Sequence, residues 1–293
     1  MVIWLNGTFV DPEGAGLSPL DAGLQHGVGL FETMHARGGQ VFRLHDHLER
    51  LRRSAQLLEL MDSLRIDPLA EAVRAVVQRW GHGDARVRLT LTGGVINMLR
   101  TARDPAPVRI EPTLLIVATP ATPFPAEIFE RGVGVTVADQ RLSSTDRFVP
   151  HKTLAYWPRL SELRRAARLG ASESLWFDSA GGLACGCTSN AFIVRAGQLM
   201  TPPSGDEGQS PVLPGIARRT IIELALARGW PVRRQPLVVD DVLRADEMFL
   251  TNSAWGVLPV VRVEGTTIGG GAPGEWTRIL RQGWLSRIAD VEG

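Results

Sequence analysis

The apolar pattern changes period several times along the 293-residue chain. Two short apolar runs, VIWL and TFV, flank Asn6-Gly7, a pair that strongly favours a two-residue hairpin turn. After a loop, GLFETMHA reads as a strand, and RGGQ turns the chain into VFRL. From roughly residue 45 to 58 the apolar spacing lengthens to three and four, with Leu48, Leu51, Ala55 and Leu58 on one face, and predicts a helix. Asp67-Pro68 suits a helix cap and first residue. Leu69, Val73, Val76 and Trp80 give the following helix its apolar face. RVRLTLT and PTLLIVAT return to strand character.

TPATPFP, residues 119–125, interrupts this pattern with three prolines in seven residues. Proline removes a backbone donor and stiffens the chain, so the segment fits neither a sheet nor a helix interior. It divides the sequence into a small N-terminal unit of mixed strands and helices (1–119), a linker (120–125) and a larger C-terminal unit (126–293). In the second unit GVGVTVADQRLS reads as a strand, and a helix runs to about Leu169 with Gly170 as its stop. SLWFD, the turn SAGG and LACGCTSNAFIV form a hairpin, and VLPGIARRTIIELALARG forms a helix that leaves at Gly229. EMFLTNSAWGVLPVVRVEG closes with strand, turn and strand. The chain is α/β (α+β) with two domains.

A net charge of +1 gives no reason to expect nucleic acid or an anionic membrane as partner. No apolar run approaches membrane-spanning length, and the first residues lack the basic end and apolar stretch of a signal peptide. Two cysteines, Cys185 and Cys187, do not make a disulfide framework. A reducing, cytoplasmic location is the expectation. The two sulfurs have no His or further Cys nearby in sequence, so no metal site is expected.

Composition changes the picture at one point. Of 32 basic residues only Lys152, in HKTLAYW, is a lysine. A guanidinium stays protonated, whereas an ε-amine can lose its proton and attack a carbonyl. An arginine-rich habit explains the missing lysines but not a requirement for one. Candidate anion-binding features lie elsewhere: the helix start at Gly215, Ile216 and Ala217, whose amides could hold a phosphate; Arg50 in HLERLRRSA; and the TNS turn at residues 251–253.

The order of these segments is more specific than any one of them. DAGLQHGVGLFETM, FRLHDHLERLRRSA, HKTLAYW, GGLACGCTSNAF, VLPGIARRTIIELA and FLTNSAWGVLPV together resemble the class IV aminotransferases, the fold-type IV pyridoxal-phosphate enzymes. That family includes branched-chain aminotransferases, D-amino-acid aminotransferases and aminodeoxychorismate lyases. The resemblance covers nearly the whole chain. It implies a small N-terminal α/β domain, a larger C-terminal pseudo-barrel domain, a homodimer and pyridoxal 5'-phosphate as cofactor. It matches Lys152 to the Schiff-base lysine and Arg50 to the phosphate arginine of an H-x-x-R-L pattern. Ile216 and Ala217 match the helix-start residues whose amides hold the phosphate, with Ala217 where the family usually has Thr. Ser253 matches the hydroxyl that closes the phosphate cup, with Asn252 beside it.

One departure matters. The family reads G-x-V-x-E-x-x-x-x-N where this chain has GGLACGCTSN, so Cys185 stands in place of the glutamate that faces the pyridine nitrogen. A thiol is a poor substitute for that carboxylate. A neighbour supplies the missing charge, the chemistry needs a weaker electron sink, or the protein binds the cofactor with little catalysis. The register of Lys152 before Thr-Leu, together with GLFETM, leans toward the D-amino-acid and lyase branches. TGGVINMLRTA lacks the Arg-Gly pair expected for a chorismate-derived substrate, which favours amino transfer between an amino acid or amine and a 2-oxo acid. Phe31, Met98, Ala254 and Trp255 are then candidate walls of a rather apolar substrate pocket, and Arg100 is the candidate carboxylate clamp.

Overall fold

The computed structural model describes residues 1–95 and 112–290. The chain divides into two compact units. The first comprises Met1–Ala121 and His151–Ala155, the second Thr122–Pro150 and Tyr156–Val291. A boundary drawn once through the proline-rich segment therefore misses a return: the five residues around Lys152 pack with the first unit.

The first unit contains β1 (Val2–Leu5), β2 (Thr8–Val10), α1 (Ala22–His26), β3 (Gly29–Arg37), β4 (Gln40–Val41), α2 (Leu44–Leu57), α3 (Ile66–Trp80), β5 (Ala85–Thr92) and β6 (Leu114–Pro120). The strands form one sheet in the order β2-β1-β6-β5-β3-β4, antiparallel at every pairing. The expected hairpin turns at Asn6-Gly7, both at positive φ. One sheet face buries Leu30, Met34, Val87, Leu89 and Ile116 against Leu48, Leu51, Val73 and Val76 of α2 and α3. Strand alternation puts Phe31, Thr33, Arg88 and Thr90 on the opposite face. The α3 helix starts at Ile66, with Arg65 as a cap that makes no side-chain bond. Asp67 is thus not the cap but lies inside the first turn, where its charge suits the helix dipole.

The second unit contains α4 (Glu127–Glu130), β7 (Val133–Leu142), α5 (Trp157–Arg168), β8 (Glu173–Asp178), β9 (Leu183–Gly186), β10 (Asn190–Arg195), β11 (Gln198–Thr201), α6 (Ile216–Leu226), β12 (Val232–Arg234), α7 (Val239–Leu243), β13 (Glu247–Asn252), β14 (Gly256–Val263), β15 (Thr266–Thr267) and α8 (Glu275–Ala289). Its sheet runs β12-β11-β10-β13-β14-β7-β8-β9 and closes on itself where β9 pairs β10, which makes the pseudo-barrel. Leu175, Phe177, Ile193, Leu250 and Val260 belong to its core. Helices α6 and α8 pack on each other, and α8 also packs on β13 and β14. The α8 helix lies beyond the segments read from the sequence. Its interior Gly283 is explained by Leu224 of α6, which a Cβ there would meet at 3.3 Å.

LACGCTSNAFIV is not one strand but two, separated at residues 187–189. The cause is Glu173. Its buried carboxylate accepts the amides of Cys187 at 2.7 Å and Thr188 at 3.0 Å, and the Thr188 hydroxyl at 2.6 Å. Backbone donors bound to a carboxylate are lost to the strand ladder. Among the described residues no helix is long and apolar enough to cross a membrane.

Candidate active site

In the first unit Lys152 sits on a segment fixed by its backbone. The Phe31 amide donates to the Lys152 carbonyl at 2.9 Å, and the Leu154 amide donates to Gly29 at 2.9 Å. A side chain at Gly29 would strike Leu91 O and Leu154, so only glycine permits this approach. His151 Nδ1 is 2.8 Å from Ser54 Oγ on α2. The Lys152 amine then lies 4.3 Å from the centre of the Phe31 ring, and the Arg88 guanidinium lies 3.9 Å from the same ring. Phe31, predicted as a pocket wall, is buried and carries two cations. Arg88 was not singled out in the sequence, where it reads as one polar position of an alternating strand.

Arg50 projects from α2 into a buried charge network. It donates from Nε to Glu32 Oε1 at 2.8 Å and from Nη2 to Glu32 Oε2 at 2.6 Å. His47 Nδ1 is 2.8 Å from Glu32 Oε2. Burial pushes the Glu32 carboxyl up, but the Arg50 charge and the His47 hydrogen bond outweigh it and hold the pKa at about 2. Burial also lowers the pKa of His47, so a neutral ring donates from Nδ1 to the carboxylate. Its Nε2 is buried with no partner in the described structure. Glu32 and His47 were quoted within sequence motifs without roles; only the fold shows that a strand residue and two helix residues one turn apart meet.

In the second unit Asn190 ties the other predicted residues together. It pairs across strands with Cys185 on one side and Thr251 on the other. Its Nδ2 donates to Leu213 O at 2.9 Å, and its Oδ1 packs so closely on Gly215 that a Cβ there would collide with it. Gly215 is the N-cap of α6 and offers no side-chain cap. The first-turn amides, at Ile216 and Ala217, have no intrahelical acceptors. The Thr251 hydroxyl is buried without a partner in the described structure. An uncapped helix start, a glycine in tight contact and an orphaned hydroxyl form a donor set suited to a phosphate group. Asn252 turns its Oδ1 to the amides of Ala254 at 2.9 Å and Trp255 at 3.0 Å, and gives its Nδ2 to Thr188 O at 3.4 Å. Its side chain thus shapes the turn that carries Ser253 and Ala254. Trp255 is half-buried, edge-on to Phe124 at 5.8 Å. Met98 and Arg100 lie outside the described residues.

Cys185 is buried on β9. Its neighbour is a cation: Arg159 Nη1 donates to Cys185 Sγ at 3.3 Å, Gly186 O at 3.2 Å and Cys187 O at 3.4 Å. A buried acid, Glu173, lies close by, but it accepts the Cys187 amide at 2.7 Å and is not the hydrogen-bond partner of Cys185. Burial works against the Arg159 charge, but the Cys185 sulfur and the Tyr156 hydroxyl raise its pKa on balance. Tyr156 donates to Cys187 O at 2.9 Å, and burial pushes its pKa to about 12. Cys187, beside Trp176 Nε1 at 3.3 Å, is likewise pushed up to about 12 by burial. It is a protonated packing residue.

Residues 29–263 match the amino-transferase class IV family model. The chain belongs to this family. A putative branched-chain-amino-acid aminotransferase of Methanocaldococcus jannaschii is 33% identical over 283 residues, covering 96% of this chain and 94% of the relative. The D-alanine aminotransferase of Staphylococcus aureus strain N315 is 29% identical over 287 residues, covering 98% and 97%. The crystal structure of the Escherichia coli branched-chain amino acid aminotransferase superposes with a TM-score of 0.88 at 30% identity, covering 97% of this chain and 93% of that one. The T.th. branched-chain amino acid aminotransferase with pyridoxamine 5'-phosphate gives 0.87 at 27%, covering 99% and 94%. The protein is a pyridoxal-phosphate-dependent aminotransferase. The lean toward the lyase branch finds no support among these relatives, which include both branched-chain and D-amino-acid enzymes. Branched-chain relatives share the fold and nearly the full length, and none of the relatives named here is a lyase.

Proposed function

We propose that the protein transfers an amino group between an amino acid with an apolar side chain and a 2-oxo acid. The observation that carries this reading is the shared ring of Phe31. A nucleophilic amine and a guanidinium lie over one buried aromatic surface on the sheet face away from the helices. The guanidinium suits a substrate carboxylate, and the ring suits an apolar side chain.

When bound, pyridoxal phosphate supplies an aldehyde that takes up the amino group and a ring that draws electrons from the bonds at Cα. The chain's own residues do the rest. Lys152 Nζ would hold the aldehyde between turnovers and would move the proton at Cα. The Ile216 and Ala217 amides would bind the phosphate together with the Ser253 hydroxyl, and by resemblance to the family Arg50 would be a further phosphate ligand. Glu32 fixes the plane of the Arg50 guanidinium through two parallel hydrogen bonds.

A screen of apolar L- and D-amino acids against 2-oxo acids, followed by the cofactor absorbance, tests the proposal. Conversion of the cofactor to its amine form by apolar donors is expected, and conversion only by polar or dicarboxylic donors would reject the substrate class. A second reading, a cofactor-binding homologue with little catalysis, is favoured by the Cys185 thiol standing where the family has a carboxylate. Normal loading with no spectral change for any donor would establish it.

Arg50→Ala is expected to weaken pyridoxal-phosphate binding by roughly 30-fold, from loss of a charge-assisted contact of about 2 kcal/mol. Titration of the apoprotein with pyridoxal should show little change, because the contact is to the phosphate. An equal loss for both ligands would show that Arg50 acts only through the fold.

A further inference from the structure

Arg159 violates two local rules. It sits in the first turn of α5, where a cation opposes the helix dipole. Its guanidinium is half-buried and has no carboxylate within ion-pairing distance among the described residues. The nearby acid, Glu173, is already saturated by Cys187 N, Thr188 N, Thr188 Oγ1 and Ser174 N, the last at 3.2 Å. The cation's hydrogen bonds go to one sulfur and two carbonyls, reached by a single nitrogen. The Tyr156 and Trp176 rings lie farther out, at 5.9 and 5.7 Å, and neither carries a compensating charge. Breaks in local rules that lack a structural return are expected at functional positions.

The setting shows what the cation faces. Cys185 pairs with Asn190, and Asn190 touches Gly215 at the start of α6. A single line of contacts therefore joins the phosphate-binding helix start to the Cys185–Arg159 corner, all within the second unit. A phosphate held at the helix start would bring the rest of its ligand near this line of contacts.

We propose that Arg159 is a positioning residue for the cofactor ring: it anchors Cys185 and sets a guanidinium directly against its sulfur, so that the ring nitrogen meets a cation-backed sulfur and stays unprotonated at neutral pH. This rests on the pyridoxal-phosphate reading of the site. A carboxylate would stabilise a proton on that nitrogen, whereas a fixed guanidinium repels it. The substitution at residue 185 is then not a simple loss. A guanidinium now lies against residue 185, while the Glu173 carboxylate is held two residues away by the Cys187 amide, and the ring is a weaker electron sink.

The test reads the nitrogen directly. Holoenzyme reconstituted with pyridoxal phosphate labelled with 15N in the ring is titrated by NMR, for wild type, Arg159→Gln and Arg159→Lys. In the wild type the nitrogen should resonate in the unprotonated range at neutral pH. Arg159→Gln should raise the titration midpoint by about one unit or more, a tenfold change in proton affinity. Arg159→Lys, which retains the charge, should stay within a few tenths of a unit of wild type. A protonated nitrogen in the wild type, a glutamine variant that titrates with it, or a lysine variant that titrates with the glutamine variant would overturn the proposal. If the glutamine variant does not fold, the wild-type spectrum still decides. Failure of the wild type to take up cofactor would count against the cofactor site itself, which separates the two failures.

Discussion

Lys152→Ala is expected to lower the amino-transfer rate by about 10³-fold or more while leaving the fold intact. Two functions are lost at once, the nucleophile that holds the aldehyde and the base that moves the Cα proton, the latter alone worth about 10²–10⁴-fold. The fold should survive because the segment is fixed by its backbone. The Lys152 carbonyl accepts the Phe31 amide, and that bond needs no side chain. The structural cost includes a cation–π contact with Phe31, worth about 0.5–1 kcal/mol at a partly exposed site. Lys152→Arg should be as inactive as the alanine variant, because it preserves the charge but not the nucleophile. Borohydride reduction of the loaded protein and peptide mapping should place the label on Lys152. Label elsewhere, or near-normal turnover in either variant, would remove Lys152 from the reaction.

Glu32→Ala should be among the most destabilising single substitutions in the first unit. It leaves the Arg50 guanidinium without its paired carboxylate and the His47 Nδ1 donor without its acceptor, at a side chain that is only 1% exposed. Removing one partner of a buried ion pair costs about 3–5 kcal/mol, enough to lower Tm by on the order of 10 °C. The same carboxylate should give the wild type a pH signature. Its pKa in the fold is about 2, below the roughly 4.3 of an unfolded glutamate. Its contribution is therefore complete above that unfolded value, and it is lost as pH falls through the lower one. The linked stability is about 3 kcal/mol. Denaturant unfolding at neutral pH and near pH 3 should show the gap between wild type and variant narrowing in acid. A gap that is small at neutral pH, or independent of pH, would mean that the network contributes little.

Asn6-Gly7, the 45–58 helix and the apolar alternation of β3 and β5 were legible because local sequence and tertiary structure agree there. The second arm of the SLWFD hairpin, residues 183–194, was misread as one strand because its break is made by Glu173, a residue of the preceding strand whose carboxylate removes two amides from the ladder. The α8 helix was missed because its glycine and mixed polarity weaken the apolar period, and only packing against Leu224 gives Gly283 a reason.

By itself the sequence determined the family, since the order of short motifs around one lysine is a property of the chain and needs no coordinates. It also determined which residues have the right chemistry: an ε-amine at Lys152, an uncapped Pro-Gly helix start, and a thiol where the family has an acid. Only the tertiary structure decided how these groups are partnered. It returned residues 151–155 to the first unit and set Lys152 and Arg88 on one aromatic ring. It tied Arg50 to Glu32 across 18 positions and brought Arg159 to Cys185 across 26. The reason is physical. Side-chain chemistry is local, but charge pairing acts through space, and the distance between two groups is fixed by the packing of elements that lie far apart in the chain.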